Sequence, residues 1–233
     1  MEQVYSSLTQ RAIDTHKKLV GVSGQRRIVI AFSGPPGSGK STIAARVVQS
    51  INTTFQRPIA TCLAMDGFHY ARAYLDTLPN PIEAHARRGA PWTFDAGGVV
   101  GLLKTLSASR VAVEPVTILA PSFDHRLKDP VAEAIRIEPE TEIVIVEGNW
   151  LLLDREPWKQ IPDYVDDTWF VDVEPALASR RIALRHITAG IEGTWEAAMA
   201  RVEANDLLNG DEVRKHLLKS NVRVESVEIS EES

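Results

Sequence analysis

The sequence predicts an α/β fold in which a parallel sheet is covered by helices on both faces. Short β-branched runs such as Arg27 to Phe32 and Glu142 to Val146 alternate with segments of helical period. These runs are apolar throughout, as expected of strands buried on both faces. The 233 residues, 44% of them hydrophobic, suffice for one sizeable domain. No repeat, low-complexity tract or linker divides them, so residues 1–233 read as a single domain.

Val4, Leu8, Ala12, Thr15 and Leu19 fall near helical spacing and predict a first helix ending near Gly21. The strand Arg27 to Phe32 follows, then a Gly-rich turn and a helix through Ile43, Val47 and Val48. Pro58 to Met65, Glu142 to Val146 and Thr168 to Val173 read as further strands, and Asn221 to Ile229 as a weaker one. Helices are expected at Ala96 to Leu106, Pro175 to Ala189 and Thr194 to Leu208. Between Val111 and Ile137 the rhythm breaks at Pro115, Pro121 and Pro130, which predicts an inserted loop or hairpin.

Gly34, Pro35, Pro36, Gly37, Ser38, Gly39, Lys40 and Ser41 match G-x-x-x-x-G-K-[ST] at every fixed position, between a strand and a helix. The glycines allow torsions that turn successive N–H groups toward an anion, and the helix N-terminus adds partial positive charge. Lys40 can reach the β- and γ-phosphates, and Ser41 can take Mg²⁺. Residues 34–42, including Thr42, are therefore the expected nucleotide site of a P-loop NTPase-type fold. The motif implies phosphate binding and leaves three outcomes: a small-molecule kinase, a switch GTPase or an ATP-driven assembly protein. No Asn-Lys-x-Asp guanine-reading motif is present, and Asp95 reads as a helix N-cap.

Ligands of open α/β sheets sit at the carboxyl ends of strands. Asp66 and Glu147 fall at such ends, and both approach the γ-phosphate if their strands flank the phosphate-loop strand. Asp66 is the expected general base for an acceptor hydroxyl, with helix capping as the alternative. Glu147 stands where a metal-binding acid belongs, acting on Mg²⁺ directly or through water.

Four further segments occur in a telling order: Met65 to His69, Arg87 to Asp95, Pro121 to His125 (Pro-Ser-Phe-Asp-His), and Val146 to Asn149. With the phosphate loop they resemble the phosphoribulokinase/uridine kinase family, which includes pantothenate kinases. The likeness runs from about Ile28 to Leu208 and is greatest to a fructose-transport-kinase-like branch. The resemblance implies phosphorylation of a small-molecule hydroxyl with ATP and Mg²⁺, with Asp66 as base. It implies that Arg88, Asp124 and His125 line the acceptor site. The Arg87 to Asp95 segment looks closer to the pantothenate kinase version, although the chain is shorter than those enzymes.

Arg181 and Arg185, four residues apart, share a helical face, with Arg180 adjacent. The resemblance implies a mobile helical lid at about residues 175–210, whose arginines close over the phosphates. His69 and His125 lie beside candidate site residues, and either can hydrogen-bond an acceptor hydroxyl. His16, His85, His186 and His216 read as surface or structural. No zinc is expected, since no histidine clusters with cysteine. Trp92 and Trp150 read as acceptor-pocket walls or as core. Asn205 and Asp206 take no role from spacing, although Asn205 can contact nucleotide or acceptor.

Acidic residues outnumber basic ones, 31 to 26, for a net charge of -5, which argues against a nucleic-acid partner. The single cysteine, Cys62, excludes an intrachain disulfide and suits a reducing, cytoplasmic setting. No signal peptide or membrane span is visible, so no membrane partner is expected. The expected partner is a small-molecule acceptor, with a homodimer as an open option. The sequence thus predicts an ATP-dependent kinase for a sugar, nucleoside or pantothenate-like alcohol, with Lys40, Asp66, Arg181 and Arg185 in catalysis. The alternative is an ATPase or nucleotide-binding regulator without such an acceptor.

Overall fold

The chain opens with helix α1 (Glu2–Ser23), strand β1 (Ile28–Ser33) and helix α2 (Lys40–Phe55). Strand β2 (Ala60–Ala64) leads through a 3₁₀ turn (Met65–Phe68) into the short helices α3 (Arg72–Leu75) and α4 (Pro81–Ala86), then α5 (Ala96–Ala108). Strands β3 (Ile118–Asp124), β4 (Asp129–Ile137), β5 (Ile143–Gly148) and β6 (Asp167–Val173) follow. Helices α6 (Pro175–Thr188), α7 (Trp195–Arg201) and α8 (Leu207–Lys215) and strand β7 (Val222–Ser226) complete it. This computed structural model describes residues 1–112, 114 and 116–228, without the side chains of 21 and 22. Val113 and Pro115 of the predicted insertion, and Ile229 of the weak strand, lie outside the described residues.

The main sheet has the order β2-β5-β1-β6-β7, and all its pairings are parallel. Side-chain alternation divides the core into two layers. Ile28, Ile30 and Phe32 of β1 pack with Leu8, Ile43 and Val47 of α1 and α2. Val29 and Ala31 face the other way, toward Val99 and Leu103 of α5 and Trp150. The predicted insertion is an antiparallel hairpin, β3 with β4, outside the main sheet.

Several sequence expectations shift. Helix α1 runs on to Ser23 and stops at Gly24, whose φ of 65° gives a left-handed cap. The predicted helix from Thr194 to Leu208 is not one regular helix. Thr194 caps α7, a π turn (Val202–Asp206) interrupts the helical path, and α8 carries it on to Lys215. The strands bearing Asp66 and Glu147 do not both flank β1: β5 does, while β2 lies beyond it and β6 takes the other side. The cause is visible in burial. All six residues of β5 are buried, as an interior strand requires, whereas Thr61 and Cys62 of β2 are half-buried and Ala64 is exposed.

Asp167, 2% exposed, ties α1 to the far side of the sheet. Its carboxylate accepts from Arg11 (2.6 and 3.0 Å), Trp169 (2.7 Å) and Asn221 (2.9 Å). Burial pushes this carboxyl up, but Arg11, Trp169 and Asn221 outweigh it and hold it below its ordinary value. A carboxyl lowered by folding stabilises the fold fully above its unfolded pKa of about 3.9, and this is lost as pH falls through the lower folded value. Asp167→Asn is expected to cost about 1–3 kcal/mol at pH 7. Urea unfolding at pH 7 and pH 3 should show a smaller acid-induced loss in the variant than in the wild type.

Candidate active site

The loop from Gly34 to Gly39 joins central strand β1 to α2, and its geometry depends on three glycines. A Cβ on Gly34 would lie 2.6 Å from the Val171 carbonyl oxygen and 2.9 Å from Ser38 Oγ. Gly37 and Gly39 have φ of 75° and 80°, a region that side chains disfavour. The loop bends back so that Lys40 and Ser41 open α2. Ser38 Oγ is buried without a hydrogen-bond partner among the described residues.

Glu147 lies within β5 rather than after it, level with Phe32 of β1 on one side and Ala64 of β2 on the other. Ser41 Oγ donates to Glu147 Oε1 at 2.8 Å. Burial pushes the Glu147 carboxyl up, against the opposing charge of Lys40. Burial likewise pushes the Lys40 ammonium down, while Glu147 and Asp66 act to raise it and Arg185 lowers it further. Lys40 therefore senses Glu147, Asp66 and Arg185 together, so two strand ends and one helix act on its amine. Asp66 sits in the 3₁₀ turn after β2, and its side chain is 51% exposed. No helix-capping bond ends on the Asp66 side chain; its carbonyl instead accepts from His69.

A cleft of about 200 Å³ lies over the loop, bounded by Gly37, Gly39, Lys40, Thr42, Arg181 and Arg185. The two arginines differ in their bonding. Arg181 Nη1 donates to Gly37 O (3.2 Å) and Ser226 Oγ (2.8 Å), and its Nη2 to Val227 O (2.9 Å). It braces the phosphate loop against the end of β7. Arg185 makes no hydrogen bond or ion pair among the described residues and lines the cleft. Arg180 pairs with Glu228.

The acceptor-side residues are more dispersed. His69 stacks on Phe94 (ring centroids 3.9 Å) and lies 5.1 Å from Phe123. Arg88 sits over Phe123, and its guanidinium donates to Lys128 O, Tyr70 O and Asp129. Asp124 Oδ1 accepts from the backbone N–H of Arg126 (2.7 Å) and Leu127 (3.0 Å), so it organises the hairpin turn. His125 is exposed there, 5.3 Å from Phe123. Trp150 does not wall a pocket. It is fully buried in the core, and its Nε1 donates to Gly89 O at 3.0 Å. Trp92 is 47% exposed and lines a groove of about 450 Å³ with Arg87, Arg155 and Leu208.

The structure adds residues that spacing did not single out. Ser226 and Asp129 matter only through Arg181 and Arg88, more than 40 residues away in each case. Arg87 reaches Ala204 O of the π turn and Asn209 of α8, and Asn205 donates to Arg88 O. No local pattern marks such partners.

The residues present fit a Mg²⁺-bound nucleoside triphosphate. Left-handed glycines open the loop, Ser38 Oγ lacks a partner, and Ser41 with Glu147 supplies the hard oxygen ligands that Mg²⁺ takes. No helix among the described residues is long and apolar enough to cross a membrane.

No family model matches the chain. Curated relatives do. The chain is 36% identical over 225 residues, 97% of its length and 92% of the relative's, to a Schizosaccharomyces pombe protein named "Putative uridine kinase C227.14". It is 42% identical over 154 residues, 66% of the chain and 89% of the relative, to "ATP-dependent kinase-like protein notR'" of Aspergillus versicolor. Among solved structures, a "putative fructose transport system kinase" from Silicibacter sp. TM1040 superposes with a TM-score of 0.80 at 29% identity, covering 94% of this chain and 98% of that one.

The unequal bonding of the two α6 arginines separates their roles. Arg181→Ala is expected to weaken ATP binding about tenfold, since it removes the brace on Gly37. Arg185→Ala is expected to leave affinity within about threefold and to act on turnover. Nucleotide titration by calorimetry beside steady-state rates checks both.

Proposed function

Because the chain belongs to the phosphoribulokinase/uridine kinase family of P-loop kinases, we propose that it transfers the γ-phosphoryl group of ATP to a hydroxyl of a small molecule. The observation that carries the acceptor half of this reading is Asp66. Its carboxylate is half-exposed beside the phosphate loop, is not used as a helix cap, and is close enough to act on the charges of Lys40 and Glu147. A carboxylate so placed can take the proton of an attacking hydroxyl, and the His69, Phe94 and Phe123 rings grouped next to it favour an alcohol over water.

In this mechanism the loop N–H groups and Lys40 hold the β- and γ-phosphates, and Arg185 adds charge over the cleft as negative charge spreads in the transition state. Mg²⁺, when held by Ser41 and by Glu147, neutralises phosphate charge. Asp66 orients the acceptor hydroxyl and takes its proton as the new O–P bond forms and the bond to the β–γ bridging oxygen breaks, with ADP leaving. Arg181 keeps Gly37 placed throughout. The names borne by similar proteins put uridine and fructose among the alcohols to be tried first.

Asp66→Asn keeps size and some hydrogen bonding but removes the base. Acceptor-dependent ADP formation is expected to fall by ~10²–10⁴-fold, with ATP·Mg²⁺ affinity little changed. Wild-type ATP turnover that no alcohol stimulates, and that Asp66→Asn leaves intact, would instead establish an ATPase.

A further inference from the structure

Two features of the acceptor side bear on what the acceptor can be. The first is that the buried cation there, Arg88, is largely committed within the chain, while Arg72, Arg126 and Lys128 are exposed. Arg88 is 15% exposed, and its Nη2 donates to Tyr70 O and to Asp129 Oδ1, both at 2.8 Å, while Nη1 donates to Lys128 O. Asp129 Oδ1 also accepts from the Arg72 N–H at 2.9 Å. Of its five N–H donors, the second on Nη1 and the one on Nε remain, and Nε is buried with no partner among the described residues. Bidentate recognition of a carboxylate or phosphate uses two parallel guanidinium donors, and both Nη2 donors of this fork are turned onto Tyr70 and the hairpin residue Asp129. Arg87 is likewise spent on Ala204 O and Asn209, both at 3.1 Å. Arg126 and Lys128 are exposed at the hairpin turn, where solvent screens them. Lys40 and Arg185 belong to the phosphate cleft.

The second feature is a hydrogen-bond acceptor beside the base. His69 Nδ1 lies 2.9 Å from Asp66 O, and a carbonyl oxygen only accepts, so Nδ1 carries the proton. Nε2 then carries a lone pair, and it makes no hydrogen bond among the described residues. Burial, aided by Arg88 and His125, outweighs Asp66 and holds this imidazole below its ordinary value, hence neutral at pH 7. Stacking on Phe94 and the nearby Phe123 ring hold the ring in place. His69 Nδ1 is 3.9 Å from Asp66 Oδ1, so the donor edge of the ring faces Asp66, and Nε2 on its other edge is the acceptor left for a second hydroxyl.

We propose that the acceptor is an uncharged polyol. Its attacking hydroxyl goes to Asp66, a neighbouring hydroxyl donates to Nε2 of His69, and Arg88 builds the wall without reading an anion. This rests on the kinase reading above. The proton of the attacking hydroxyl passes to Asp66, the O–P bond forms and ADP leaves. The neighbouring hydroxyl keeps its proton and only fixes orientation.

The test uses the full chain with ATP·Mg²⁺ and two arms of alcohols. Ribitol, D-fructose and uridine form the uncharged arm; D-glycerate, pantothenate and ribulose 5-phosphate form the anionic arm. Acceptor-dependent ADP and the phosphorylated product are measured. The best uncharged compound is expected to exceed every anionic one by ~100-fold in kcat/KM, as like-charge juxtaposition at a desolvated site implies. Its analogue lacking the neighbouring hydroxyl is expected to lose about tenfold in the wild type. His69→Phe should use parent and deoxy compound alike, while His69→Gln, which keeps an acceptor oxygen, should recover part of the preference. A best substrate from the anionic arm, or a deoxy analogue used as well as its parent by the wild type, would overturn the inference and leave the kinase reading standing. Silence in both arms would count against both.

Discussion

The phosphate loop must present its N–H groups inward, and that requirement organises much of what surrounds it. A loop of this shape has no hydrogen-bonded ladder of its own and needs bracing from outside. Three supports supply it. Gly34 lets the chain pass against the Val171 carbonyl of β6. Arg181 holds Gly37 O from α6 and is itself held by Ser226 and Val227 at the end of β7. A Cβ built on Gly210 of α8 would lie 3.6 Å from Pro35 Cβ and 3.9 Å from Pro36 Cδ, so α8 passes close over the loop. The last strand and α8 are thus parts of what holds the phosphate loop, not additions to it.

Charge is handled differently on the two sides of the site. Around Lys40, burial disfavours both the ammonium and the Glu147 carboxylate, and each partly stabilises the other. An arrangement whose desolvation is only partly offset inside the chain is suited to a ligand that brings its own charges. On the acceptor side, Arg88 with Asp129 and Arg87 with backbone and amide oxygens are matched within the chain. Charge around Lys40 is thus only partly offset within the chain, whereas Arg87 and Arg88 are largely matched there.

The Arg87 to Gly89 segment links these halves mechanically. Arg87 and the Arg88 carbonyl hold the π turn and Asn209, the Arg88 side chain holds the β3–β4 hairpin, and Gly89 O holds Trp150 in the core. The π turn places Asn205 inward, where it donates to the Arg88 carbonyl. The helical path between α7 and α8 therefore carries a local irregularity at the point where it meets the acceptor side.

Local pattern alone determined the strands, the phosphate loop, the Asp95 cap and the inserted hairpin, because each is written in contiguous residues: apolar runs, fixed glycines, an Asp with a receptive N–H three residues on. It also placed Lys40, Ser41, Asp66 and Glu147 near strand ends. Strand order was decided only by tertiary structure, since an apolar run does not say which neighbour it will pair with; β5 came between β1 and β2 because it alone of the two outer candidates is buried throughout. The division of labour between Arg181 and Arg185 was equally invisible, as one helical face carries both and only the position of β7 separates brace from free cation. Trp150, adjacent to a site motif in sequence, points into the core because the chain turns after Gly148, where a Cβ would come within 2.4 Å of Met65. Side-chain roles set by contacts many residues apart leave no periodic trace in the chain, and they appear only once the sheet has closed.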